Sequence, residues 1–226
     1  MKEAFSNPLF GVTLCILAYE IGVFLNRKFK TPLANPLLIG IVLCILVLKL
    51  FGIPLEDFNQ GGDIVALFLA PATASLAVSI YSQYDLLKKN LLPILAGSAV
   101  GSLCSMGSVF LMCKLFRLDE KLTVAMLPKS VTTPIAMELS EQSGGIVPVT
   151  IAAVVITGIL GAMLAPTLIK LFRVNNSVAA GVAIGTCSHA LGTTKAIEIG
   201  EVEGAMSGIA IGTAGLMTVL FSMVIA

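Results

Sequence analysis

Five stretches of this chain stay apolar for about the length a helix needs to cross a bilayer, roughly 20 residues. The clearest are "PLFGVTLCILAYEIGVFL" (8–25), "PLLIGIVLCILVLKLFGI" (36–53) and "VVITGILGAMLAPTLIKLF" (154–172), with further apolar segments at 91–116 and 204–226. Such a pattern restricts the fold to the membrane classes. Composition agrees: of 226 residues, 57% are hydrophobic and 12% charged, where a soluble domain carries about 25% charged residues. The expected architecture is all-α, a polytopic transmembrane helical bundle forming a single integral membrane domain over 1–226. The formal net charge of +1 gives no signal for nucleic acid.

The first apolar segment is followed by "NRKFKTP" and at once by a second span, with no small-residue cleavage site, so it reads as a span and not as a signal peptide. Cys15, Cys44, Cys104, Cys113 and Cys187 lie inside or at the ends of apolar segments without paired spacing. They read as small buried hydrophobes, not as disulfides or metal ligands.

An internal repeat runs through the second half. "KLFR" closes an apolar span at 114–117 and again at 170–173. A segment rich in Gly, Ser, Thr and Pro follows each copy: "MLPKSVTTPIAMELSEQSGG" (126–145) and "IGTCSHALGTTKAIEIGEVEG" (184–204). A shift of 60 pairs Lys129 with His189, Thr133 with Thr193, Ala136 with Ala196 and Glu138 with Glu198. The repeat units are about 91–145 and 146–204, each one full span plus one broken polar segment. A weaker third copy is "FLAPATASLAVSIYSQYDLLKKN" (68–90). Transporter folds are often built this way, with sites at the repeat interface formed by interrupted helices. Pro128 and Pro134 in one segment, and Gly185 and Gly192 in the other, are the expected helix breaks. Freed N–H groups at half-helix N-termini favour anions.

The candidate site residues each carry a bland alternative. Lys129 is either a snorkelling lysine at a span end or an intramembrane cation with a function. His189 is the only histidine, read as a packing residue bonded to a carbonyl, or as a substrate contact or proton site. Ser130, Thr132, Thr133, Ser188, Thr193 and Thr194 are interhelical glue or substrate donors. Glu20 is a second possible proton site. Lys195 reads as the partner of Glu198 one turn on, and Asn35 as a cap for the helix opened by Pro36. No metal site, cofactor motif, phosphate loop or Ser–His–carboxylate order is expected, so enzymatic chemistry is not. Basic loops at 27–30, 114–121 and 170–173 conflict in sidedness if every segment crosses fully, so one polar segment, 63–84, is expected to enter and leave on one side.

"NPLLIGIV", "LAPATASLAV", "LPKSVTTPIAM" and "SHALGTTKAIEIGEVEGAMSGIAIG" carry a close resemblance to the LrgB/CidB family over nearly the whole length. Ala70, Ser79 and Thr194 depart mildly from the usual pattern. The resemblance implies two rival roles. One is a carrier for small monocarboxylates such as pyruvate, lactate or glycolate; the other is an antiholin- or holin-like regulator of murein hydrolases and cell lysis. It also implies a bacterial cytoplasmic (inner) membrane location and a smaller LrgA/CidA-type membrane partner. By motif it points to Pro128, Lys129, Ser130, Thr132, Thr133, Pro134, Ser188, His189, Gly192 and Thr193. Small residues in "AGSAVGSLCSMGS" (96–108) and "GAMSGIAIGTAG" (204–215) suggest close helix approach and a homodimer.

Overall fold

The computed structural model describes residues 5–29, 35–68 and 84–225, together with the single positions 71, 74, 78 and 81. Among the described residues the secondary structure is helical, with no strand, as long apolar runs in a membrane require. The chain gathers into two compact units, Met1–Ser75 and Leu76–Ala226. Part of the weak third repeat copy, the departures at Ala70 and Ser79, and half of 63–84 lie outside the described residues.

In the first unit α1 (Pro8–Phe29) packs against both α2 (Pro36–Phe51) and α3 (Leu55–Ala66). Asn35 caps α2 as its sequence position suggests, its side chain accepting from the N–H groups of Leu37 (2.9 Å) and Leu38 (3.2 Å). Gly52 ends α2 in the left-handed region, at φ 60°, a conformation glycine adopts without steric cost. α1 and α3 touch backbone to backbone: a methyl on Gly11 would lie 2.6 Å from the Phe58 carbonyl oxygen.

The second unit begins with α4 (Tyr84–Leu115), which is kinked at Asn90 three residues before Pro93. A proline inside a helix removes a hydrogen bond and clashes with the carbonyl four residues back. There follow α5 (Glu120–Met126), α6 (Thr133–Gln142), α7 (Val147–Leu171), α8 (Ser177–Ile199) and α9 (Glu201–Ile225). Helices α1, α4, α7 and α9 are long and apolar enough to cross a membrane. Large side chains such as Leu92, Leu103, Leu171 and Met223 are exposed, while alanine, glycine and serine fill much of the interior. That inverted distribution suits a bundle bathed in lipid tails, where close packing of small residues replaces hydrophobic burial. The chain is a multi-pass membrane protein.

Two segments turn back instead of crossing. α5 and α6 are the arms of one hairpin: a methyl on Gly145, just past α6, would lie 3.0 Å from the Ala125 nitrogen in α5. Residues 120 and 142 also line the same cavity. The reversal occupies residues 127–132, around Pro128. α8 reverses at His189, where φ 42° and ψ −141° leave the helical region. A methyl on Gly192 would lie 3.3 Å from the Ile184 carbonyl oxygen, although eight residues of straight helix span about 12 Å. Ser207 of α9 confirms the fold-back, since it faces Gly185 on one arm and bonds Thr193 on the other. The described residues thus place hairpins at 120–142 and 177–199. The reversal at His189 falls between the two expected break points, Gly185 and Gly192, which instead sit on the arms at close contacts with α9 and with the opposite arm.

The two "KLFR" copies adopt one local structure. Arg117 (φ 54°) and Arg173 (φ 53°) both stand in the left-handed position past a helix end. The next N–H in each case reaches back five residues, Leu118 to the Cys113 carbonyl and Val174 to the Ile169 carbonyl, both at 2.9 Å. This is the Schellman closure of a helix, here made by arginine where glycine is usual.

The small-residue stripes expected to drive self-association are used largely within the second unit. Ser98 bonds Thr213 at 2.7 Å, Ser102 bonds the Ala214 carbonyl at 3.3 Å, and Gly101 abuts Thr186. Gly107 and Gly212 face open space.

Candidate functional site

The site is built where the two hairpin tips approach α7 from its opposite ends. Near the first tip, Val131 and Ala136 pack with the Val154 side chain. From the second tip, His189 Nε2 lies 3.0 Å from the Val154 carbonyl oxygen. One residue of α7 therefore stands between the tips.

Lys129, at the first tip, directs its ammonium to the Ser130 hydroxyl (3.1 Å) and the Ser105 hydroxyl of α4 (3.4 Å). Those two hydroxyls bond each other at 2.8 Å. Ser105 lies ten residues before the Leu115 end of α4, a depth of about 15 Å at 1.5 Å per residue and half of a hydrocarbon core of about 30 Å. Among the described residues no carboxylate lies within ion-pair distance of Lys129, whereas Lys195 pairs with Glu198 at 2.7 Å. A half-buried cation whose neighbours are hydroxyls retains capacity for an anion. The N-terminus of α6 adds to the positive potential. Thr132 occupies its N-cap without a side-chain cap bond, and Pro134 follows in the first turn. The Thr133 and Ile135 N–H groups belong to the orphan donors of that turn.

His189 is buried and strained. A side-chain-bearing residue at φ 42° costs on the order of 1–3 kcal/mol, and glycines on α7 make the geometry possible. A methyl on Gly158 would lie 2.6 Å from the His189 ring, and Gly161 meets Ser188. The Val154 carbonyl can only accept, so Nε2 carries the hydrogen and Nδ1 is left as the ring's acceptor. Thr193 donates to the His189 carbonyl (3.0 Å) and pairs with Ser207 (2.7 Å), tying the turn to α9.

Lys129, Ser130 and Ser105 form one cluster at the first tip, and His189 at the second is linked to the first hairpin through Val154, with Ser188 buried beside Gly161. Thr193 and Gly192 act as packing residues of the second hairpin, and Thr194 bonds the Leu191 carbonyl from an exposed face. Glu20 lies on the exposed face of α1 in the first unit. Cys104 and Cys187 are exposed and Cys113 buried, with Cys15 and Cys44 between, so burial of all five cysteines does not hold. Three participants were missed by sequence reasoning. Ser105 was hidden in a small-residue stripe, and Val154 contributes only a carbonyl. Thr186 has a buried hydroxyl without a partner among the described residues, and it packs on Gly101, one helical turn before Ser105.

The family model for LrgB-like proteins matches residues 15–226. The chain belongs to the LrgB-like family. It is 41% identical over 219 residues to a Bacillus subtilis (strain 168) protein named antiholin-like protein LrgB, covering 96% of this chain and 95% of that one. A protein of the same name from Bacillus cereus (strain B4264) is 41% identical over 215 residues, covering 95% and 94%. Another, from Bacillus anthracis (strain CDC 684 / NRRL 3495), gives the same figures. No solved structure matches the chain.

Proposed function

We propose that the chain acts in the bacterial cytoplasmic membrane as an antiholin-like protein, self-associated and working beside a smaller LrgA/CidA-type membrane protein. The observation that carries this reading is 41% identity over 96% of the chain to a protein so named. Co-reconstitution of the chain with that small partner in dye-loaded vesicles tests it. The chain lowers leakage caused by the partner if the reading holds. Leakage unchanged or increased by the chain contradicts it.

A second reading is favoured by the hairpin tips: a carrier for small monocarboxylates of the pyruvate, lactate or glycolate type. Lys129 has hydroxyl neighbours and no carboxylate at ion-pair distance among the described residues, about halfway through the bilayer by the helical rise. Orphan helix N–H groups lie near it in the chain, and His189 of the second hairpin is bonded to Val154, against which the first hairpin packs. A carboxylate there would be held by charge-assisted hydrogen bonds. In this reading the two hairpins are copies of one duplicated unit set in opposite senses, the arrangement found in many carriers. Saturable uptake of labelled pyruvate into vesicles supports it, and leakage of unrelated solutes of every size speaks against it.

A further inference from the structure

A cavity of about 600 Å³ lies between α4, the first hairpin and the last turns of α9. Its outer rim carries Lys114, Glu120 and Gln142, and its floor is Met106, Pro128 and Thr218. From Lys114 to Met106 it follows two turns of α4, about 12 Å. Two floor residues are chain neighbours of the site: Pro128 precedes Lys129 and Met106 follows Ser105. We infer that this cavity is the aqueous vestibule through which a small hydrophilic anion reaches Lys129 from the membrane face bearing Lys114 and Glu120.

Polarity at both ends separates this from a lipid-tail groove. An acyl chain matches the Phe110 and Val124 walls, but it would have to pass the charged groups of Lys114 and Glu120 and end against the Thr218 hydroxyl. Desolvating such groups without partners costs several kcal/mol in order of magnitude, whereas water satisfies them. At the mouth, Lys114 sits over the Phe110 ring, 4.7 Å from its centroid, a cation held beside the entry where it can attract an anion.

The inference rests on the carrier reading for the identity of the anion, but not for the existence of the water path. Val124→Cys and Leu127→Cys, each placed in a chain whose native cysteines are replaced, are exposed to a membrane-impermeant anionic thiol reagent from either face. Lys121→Cys, on the exposed rim side of α5, reports which face is which. Both cavity cysteines are expected to react from the Lys121 face and to lose reaction from the other. Lys114→Gln should slow the anionic reagent and leave a neutral one unchanged. Reaction from the opposite face, or only with a lipid-soluble maleimide, would overturn the inference. One-faced labelling in a protein that shows no anion uptake would leave the vestibule standing and sink the carrier reading instead.

Discussion

His189 Nε2 donates to the carbonyl of Val154 across 3.0 Å, while the Val154 side chain packs with Val131 and Ala136 of the other hairpin. Both turning points are thereby fixed to one residue of α7. His189→Gln preserves a donor that can reach the carbonyl but cannot titrate. It is expected to keep the fold, whereas His189→Ala leaves the Val154 carbonyl and the cavity beside Gly158 unfilled. Thermal melting in detergent checks this: His189→Ala should lie below both wild type and His189→Gln. If uptake also depends on a proton at Nδ1, His189→Gln transports without the wild-type pH dependence.

Lys129→Ala removes the ammonium that faces Ser105 and Ser130. Loss of a charged hydrogen-bond partner is worth about 1.5–3 kcal/mol, or roughly ten- to more than a hundredfold in affinity for a carboxylate. Insertion should be unharmed, since a buried charge opposes insertion. Normal insertion with wild-type uptake would make Lys129 a snorkelling anchor. Lys195→Ala, which breaks only the exposed pair with Glu198, should do little.

Arg117→Gly and Arg173→Gly relieve a left-handed position that glycine tolerates and arginine does not. Each should raise stability by about 0.5–1 kcal/mol, read as a higher melting temperature. A loss of stability in either variant would mean that the guanidinium makes an interaction outweighing the backbone strain.

The two glycines on α7 admit the second hairpin. Gly161→Val drives a side chain into Ser188 and should cost about 1–3 kcal/mol as overpacking. Gly212→Ala, which meets open space, serves as the tolerated comparison. Equal melting of the two variants would contradict the hairpin packing.

The first break was legible because proline announces it: Pro128 and Pro134 cannot continue a hydrogen-bonded helix, and the reversal falls between them. The second was legible only in outline. Its turning point is a histidine held at φ 42° by tertiary contacts with α7, and no local propensity signals such a residue. The shift of 60 nonetheless paired Lys129 with His189, and the structure puts each at a hairpin turn. That the broken segments turn back was not legible from their own composition, because a polar, interrupted stretch of this length serves equally as a hairpin or an unwound crossing. What separates the two is contact between residues distant in sequence, such as Gly145 with Ala125 and Gly181 with Glu203. Ser105 and Val154 were invisible for a different reason. Their roles depend on a hydroxyl and a carbonyl whose value comes only from what is folded against them.

The central claim is that residues 120–142 and 177–199 are hairpins dipping into the membrane from opposite faces. Single cysteines at the four arm ends, Glu120→Cys, Gln142→Cys, Ser177→Cys and Ile199→Cys, labelled with an impermeant thiol reagent in intact cells and in inverted vesicles, measure this directly. The structure predicts that 120 and 142 react from one face and that 177 and 199 react from the other. A pair split across the two faces, in either segment, would contradict it.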